Sequence, residues 1–374
     1  MTFRTGCPAG PRRNSLRAIF AAAVVLGCGG VPGTALGLTD RQLAGQRVVF
    51  AFPSTAPPAG LVARIREGSA GAVILLGPNV SGVAGTRRLT DALQAVPRPP
   101  GLEAPLLVMT DQEGGEVRRL SVPPGPSAAA LGALGVAAVG AEGVGAGRGL
   151  AQAGVNVDLA PVADVARPGG FIDRQERAFG GSVASVASRA SAFAGGLARV
   201  GLAACAKHFP GLGAAATTTD AGPARVDLPL GELRGVDEAP FARLVRAGVP
   251  MVMVSTAVYP ALDGRPAALS PRVVRGELRG RLGFRGVVVT DALDTPAVGP
   301  PDRLGDAAVR AAGAGADLIV VTSAADGERV AGALQAALSS GRLGRAAFVR
   351  SVDRVLALRE RLRATAPVTL PPRR

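Results

Sequence analysis

The chain of 374 residues has no tryptophan, one tyrosine, one histidine and three cysteines. Each scarcity excludes something. With aromatics at 3%, bases would find no rings to stack on, so the net charge of +14 does not read as a nucleic-acid surface. The basic residues are almost all arginine and are scattered along helix-like segments, which fits a general attraction to anionic cell-envelope polymers. A lone histidine, His208, leaves no Cys/His zinc set, and no metal or other cofactor is expected. Cys7 and Cys28 lie near the N-terminus, so a mature chain would keep Cys205 alone and form no internal disulfide. Cys205 sits in an apolar run and is expected to be a small core residue.

What is present begins with an address. Arg12, Arg13 and Arg17 precede a short apolar run, residues 18–26, of signal-peptide length and too short to span a bilayer comfortably. The tetrapeptide ending at Cys28 resembles a bacterial lipobox, with Leu26 where a small residue is usual. Simple cleavage near residues 35–37 is the competing reading. Residues 1–37 are expected to be a signal peptide and linker, 40–363 one domain, and 364–374 a disordered tail. The protein is expected to be exported, either lipid-anchored at Cys28 in the cell envelope or secreted. Nothing in the sequence speaks to its oligomeric state.

Beyond the linker, short β-branched apolar runs alternate with helix-like segments. The strand candidates are 47–52, 71–77, 105–111, 155–164, 203–209, 250–256, 286–292 and 316–322. Their continuous apolar character suits strands covered on both faces. Helices are expected at 57–67, 86–95, 183–200, 238–247, 270–281, 303–313 and 326–339, with Ser182, Asp237 and Ser270 as candidate caps. A last amphipathic segment, 345–363, would lie outside the barrel or against its base. Eight alternating units predict an α/β fold, a single (β/α)8 TIM-type barrel. The alternative, an open doubly wound sheet, lacks a phosphate fingerprint, because the glycines of 145–149 lie in a helix-like stretch and follow no strand.

Polar residues close five of these strands: Asp111, Gln112 and Glu113; Asp158 and Asp164; Lys207 and His208; Ser255 and Thr256; and Asp291. One such residue is commonly a helix cap, whereas five sets at one end predict a polar pocket at the barrel mouth. The motifs DQEGGEVRRL (111–120), NVDLAPVADV (156–165), RAFG (177–180), KHFPGLG (207–213), the run 251–271 and GFRGVVVTDAL (283–293) occur in order. Together they resemble glycoside hydrolase family 3, in particular its single-domain bacterial β-N-acetylglucosaminidases, over residues 40–360 or so. The resemblance implies that Asp291 is the catalytic nucleophile and that Asp111, Arg177, Lys207 and His208 hold the sugar. It implies a retaining exo-glycosidase removing terminal β-linked N-acetylglucosamine, or a related β-glycoside, through a covalent glycosyl-aspartate. Peptidoglycan-derived glycans are the natural candidates for an exported enzyme of this kind. An Asp291 flanked by Lys207 or Arg177 would be held ionised by nearby positive charge. Asp158 and Asp164 stand as candidate partners of those cations or as plain strand-end hydrogen bonders.

The acid/base half departs from the family. Its loop normally carries H-G-D-x-x-x-D-S-H, and the closing Asp-His pair protonates the leaving group. Here the aligned residues read LGAAATTTD, with Leu212, Thr218 and Asp220 at the key positions, and Thr256 replaces another common histidine. Two readings follow. Asp220 serves as general acid/base, or the chain has lost efficient turnover and acts as a sugar-binding envelope protein.

Overall fold

The computed structural model describes residues 35–365 together with the first two of the chain. The expected leader up to residue 34, with its lipobox at Cys28, and the tail beyond 365 lie outside the described residues. Eight strands form the central sheet: β1 (Val48–Phe50), β2 (Ala72–Ile74), β3 (Leu107–Thr110), β4 (Val157–Asp158), β5 (Ala203–Phe209), β6 (Met251–Val254), β7 (Val287–Thr290) and β8 (Ile319–Val320). Every pairing within it is parallel, in the order β7-β6-β5-β4-β3-β2-β1-β8. A bridge between Val289 and Leu318 closes the ring, with Thr290 N–H donating to the Leu318 carbonyl at 3.0 Å. The barrel expected from sequence is therefore the fold.

Side-chain parity explains both the core and the mouth. Each strand or its immediate flank sends two side chains inward, from Val49 and Ala51 on β1 to Leu318 and Val320 on β8, and these form one buried apolar cluster. Cys205 belongs to it, free and fully buried, as expected. The residues of opposite parity, such as Val48, Val108, Val252 and Val288, join a second cluster under the outer helices.

The outer helices are α1 (Ala59–Arg66), α2 (Gly82–Gln94), α3 (Val136–Gln152), α4 (Val183–Arg199), α5 (Ala239–Arg246), α6 (Leu304–Ala314), α7 (Ala324–Ser339) and α8 (Arg345–Thr365), with a π-helical segment at Arg272–Arg281. Helix α8 resolves the choice left by sequence: Val355 and Leu358 join the barrel-interior cluster, so the helix stoppers the base. Ser182 caps α4 by accepting from Ser185 N–H. Asp237 does not cap α5. It ends the helical turn before it, and its Oδ2 accepts from Arg167 at 2.7 Å, an ion pair taking precedence over the cap. Helix α3 holds the glycines of 145–149, in the stretch that reads as helix-like from sequence. Glycine weakens helices, yet here it lets α3 and α4 approach closely: a Cβ on Gly143 would stand 2.3 Å from the Phe193 carbonyl oxygen.

Candidate active site

The inward rows continue beyond the apolar layers. Leu107, Met109 and Asp111 lie two apart on β3, as do Ala203, Cys205 and Lys207 on β5 and Val287, Val289 and Asp291 at the end of β7. The same period that fills the interior with valines thus delivers an acid, an amine and a second acid to the C-terminal rim. They line a pocket of about 590 Å³, together with His208, Arg177, Asp220 and Asp294. The six residues given a catalytic or sugar-holding role from sequence all line this cavity, whereas Gln112, Glu113, Asp158, Asp164, Ser255 and Thr256 of the strand-end sets do not. Its floor is apolar, with Ile74, Leu159, Met253 and Val320 beneath the polar wall.

One side of the pocket is an ion chain. Lys207 Nζ lies 2.6 Å from Asp111 Oδ1 and 2.7 Å from Glu113 Oε1. Arg177 holds Glu113 with both arms of its fork, Nε at 2.8 Å and Nη2 at 2.7 Å. Arg119 stands 3.9 Å from the other oxygen of Asp111. Burial alone would raise the Glu113 carboxyl, but Lys207 and Arg177 overcome it and hold the group well below the usual carboxylate range. Burial would likewise lower the Lys207 ammonium, and Asp111 and Glu113 reverse that and raise it. Glu113, Lys207 and Arg177 are therefore charged at neutral pH, and each of these charges has a partner of opposite sign.

Glu113 is the organising anion, and no role was expected of it. The signal was available: it stands two residues after Asp111, in a segment whose Gly114 and Gly115 both have positive φ, 100° and 58°. Those glycines fold the hairpin Gln112–Gly114/Val117–Arg118 back over the rim. At Gly114 a Cβ would meet the Pro126 carbonyl oxygen at 2.2 Å. Gln112 itself is structural. Its amide donates to the carbonyls of Leu120, Val122 and Pro123 and accepts from two backbone N–H groups.

The opposite side holds an imidazole–carboxylate pair. His208 Nδ1 lies 2.8 Å from Asp164 Oδ2, while Asp164 Oδ1 accepts from the N–H groups of His208 and Leu212. This fixes the ring plane and leaves Nε2 free of the Asp164 bond. Asp164 is thus the partner of His208 and not of Lys207 or Arg177. Asp158 is not a partner of those cations either: its Oδ1 accepts from Gln112 N–H at 3.0 Å, and burial raises its carboxyl well above the ordinary range. Ser255 also turns out to be local, its Oγ accepting from Ala257 N–H. A register irregularity on β5 between Ala206 and Phe209 accompanies the placement of both Lys207 and His208 in the same cavity.

Asp291 differs from what charge proximity alone suggests. Its carboxyl is raised, chiefly by burial and further by Asp220, with His208, the Ala292 N–H and Lys207 pulling the other way. Positive charge does not win here because Lys207 and Arg177 are already committed to Asp111 and Glu113. Among the described residues Asp291 accepts a single hydrogen bond, from Ala292 N–H at 2.9 Å. Its carboxylate is sparsely held and faces the cavity, as an attacking group requires.

Asp220 stands at the lip. It is exposed, its backbone N–H donates to Thr218 Oγ1 at 3.1 Å, and its carboxylate accepts nothing among the described residues. The nearby Asp294 is engaged, its Oδ2 accepting from both the N–H and the hydroxyl of Thr322 at 2.7 Å. Among the described residues no group of His, Cys, Asp and Glu is arranged to hold a metal ion.

The glycosyl hydrolase family 3 N-terminal domain matches residues 42–358. A secreted glycosyl hydrolase of Arthroderma benhamiae is 38% identical over 344 residues, covering 89% of this chain and 97% of that one. Among solved structures, a family 3 β-N-acetylglucosaminidase from Paenibacillus superposes with a TM-score of 0.83 at 34% identity, covering 90% of this chain and 65% of that one. A β-N-acetylhexosaminidase from Beutenbergia cavernae gives 0.78 at 33% identity, covering 86% and 99%. The mouth described above is therefore that of a glycoside hydrolase, and the chain belongs to glycosyl hydrolase family 3.

Proposed function

We propose that this protein is a retaining exo-glycosidase acting on terminal β-linked N-acetylglucosamine. The observation that carries the reading is Asp291: a sparsely bonded carboxylate at the C-terminal end of β7, in a cavity of about 590 Å³ that it shares with an ion chain suited to sugar hydroxyls. The names of the Paenibacillus and Beutenbergia proteins supply the sugar class.

In this mechanism Asp111, Lys207, Arg177 and His208 hold the terminal sugar over the apolar floor. Asp291 attacks the anomeric carbon while the bond to the leaving oxygen breaks, and a proton from Asp220 goes to that oxygen. The glycosyl-aspartate is then hydrolysed by a water whose proton returns to Asp220, so the two carboxyl groups end as they began. Asp220 suits the role because it is the pocket carboxylate with no partner among the described residues. Export fits the leader expected over residues 1–37 and the secreted Arthroderma relative. Lipidation at Cys28 would hold the enzyme at the envelope, where N-acetylglucosamine polymers are found.

The test is trapping. A 5-fluoro N-acetylglucosaminyl fluoride should label one peptide, the one containing Asp291, and a label elsewhere overturns the assignment. The replacement of the family's Asp-His pair by Thr218 and Asp220 favours a second reading, a sugar-binding protein without turnover. Measurable sugar affinity with no hydrolysis of even an activated aryl glycoside would establish it.

A further inference from the structure

The other end of the barrel has a cavity of its own. It measures about 330 Å³ and lies where β7, β8 and β1 begin, opposite the mouth. Six arginines line it: Arg47, Arg275, Arg279, Arg342, Arg350 and Arg354. No acid lines it. The buried carboxylate beside it is Asp317, which accepts from Arg279 at 2.6 Å, from Arg354 at 2.7 Å and from Ser351 at 2.7 Å. Arg342 has a loose exposed pair with Asp306 at 3.4 Å, and Arg350 pairs with nothing among the described residues.

Several of these guanidiniums are fixed in place. Arg47 is almost wholly buried, lies over the Phe348 ring at 4.2 Å and donates to the backbone carbonyls of Ala316 and Asp317. Burial pushes its guanidinium down to about 10, which marks a cation short of counter-charge. Arg275 is held by the Gly313 carbonyl at 2.6 Å. The Nε of Arg279 is buried and has no acceptor among the described residues. The first turn of α8 forms another wall through Gly344, Ala347 and Phe348. That turn contains no acid to meet the helix's positive end. Clustering six cations around one buried carboxylate and one loosely paired exposed one, Asp306, is unfavourable unless something anionic joins them.

We infer that the closed end of the barrel is an anion site that takes a phosphate group, free or as a mono- or diester. Planar forks converging on one small cavity match several oxygens of a tetrahedral anion, and the helix start adds N–H donors of the right sign. The same chemistry is offered by a soluble phosphate ester and by an anionic lipid headgroup, and the site stands well apart from the sugar pocket.

The test uses the whole protein with inorganic phosphate as probe, followed by calorimetry and melting temperature at fixed ionic strength. Arg342→Ala with Arg350→Ala is the informative variant, because both side chains are exposed and neither supports Asp317. Phosphate should raise the melting temperature of the parent more than matched sodium chloride does, and the double variant should bind phosphate about tenfold or more weakly. Hydrolysis of an aryl glycoside should be unchanged, which shows the variant folded. Equal responses to phosphate and chloride, or equal phosphate affinity in parent and variant, would overturn the site. Co-sedimentation with phosphatidylglycerol vesicles, competed by phosphate and lost in the variant, assigns the headgroup as source. Phosphate binding without sedimentation assigns a soluble ester.

Discussion

Lys207 donates to Asp111 at 2.6 Å although the two stand 96 positions apart, and the same ammonium reaches Glu113 at 2.7 Å. One nitrogen thereby joins the third and fifth strands across the rim and helps hold Glu113 ionised. Glu113 sits at the centre of this arrangement, between Lys207 and Arg177.

Glu113→Gln keeps the shape and removes the charge. Two buried cations then share Asp111 alone, and breaking such a pair typically costs about 3–5 kcal/mol. Urea unfolding should show a loss of that order. Because the pair is buried, 0.5 M salt should not reduce the difference between variant and parent. A loss under about 1 kcal/mol would mean that Glu113 is a bystander.

Much of this site could be read from sequence because it rests on period. Asp111, Lys207 and Asp291 each lie two residues beyond an inward-facing residue of the barrel, and strand periodicity reveals that directly. What period cannot reveal is pairing between strands. Glu113 and Asp164 are settled by which cation or imidazole lies opposite once the ring closes. For the same reason Asp291 was expected to feel Lys207, whose charge is spent on Asp111 and Glu113. One available signal went unused: Lys207 is the only lysine in the chain, and it adjoins the only histidine. The stretch around 145–149 reads as helix-like, but the reason for its glycines does not show in sequence, since they serve a tertiary contact that propensity does not encode.

That contact gives a paired prediction. Gly143→Ala places a methyl group 2.3 Å from the Phe193 carbonyl oxygen, so α3 and α4 must part, at a cost of about 1–3 kcal/mol. Gly195→Ala, on α4 with nothing within 4 Å of the new Cβ, should instead stabilise by about 0.5–1 kcal/mol. Thermal melts of the two variants should move in opposite directions.

Asp291→Asn should abolish hydrolysis and yet melt at a higher temperature than the parent at pH 7. Its carboxyl is raised in the folded protein, so above that raised value the folded state pays for a buried charge that the unfolded chain carries freely. Removing the charge should recover that cost. The gain should vanish below the ordinary aspartate range, where both states are protonated. A variant less stable than the parent at pH 7 would show that the charge is compensated after all.

The pH profile of the parent follows from the same group. With an activated aryl glycoside the leaving group needs no proton, so the acid limb of kcat/KM reports Asp291 in the free enzyme. As pH falls through the raised value of that carboxyl, the nucleophile gains a proton and the rate drops, so the limb should lie above the ordinary 3.8 of an aspartate. Asp220 contributes to the elevation, so Asp220→Asn should move the limb to lower pH. On a natural glycan the same substitution should cost about 10²–10⁴-fold in rate, the usual value of general acid assistance. A limb that stays in place while the natural substrate slows would separate the two roles. Asp220 would then be a proton donor too distant to influence the nucleophile's charge.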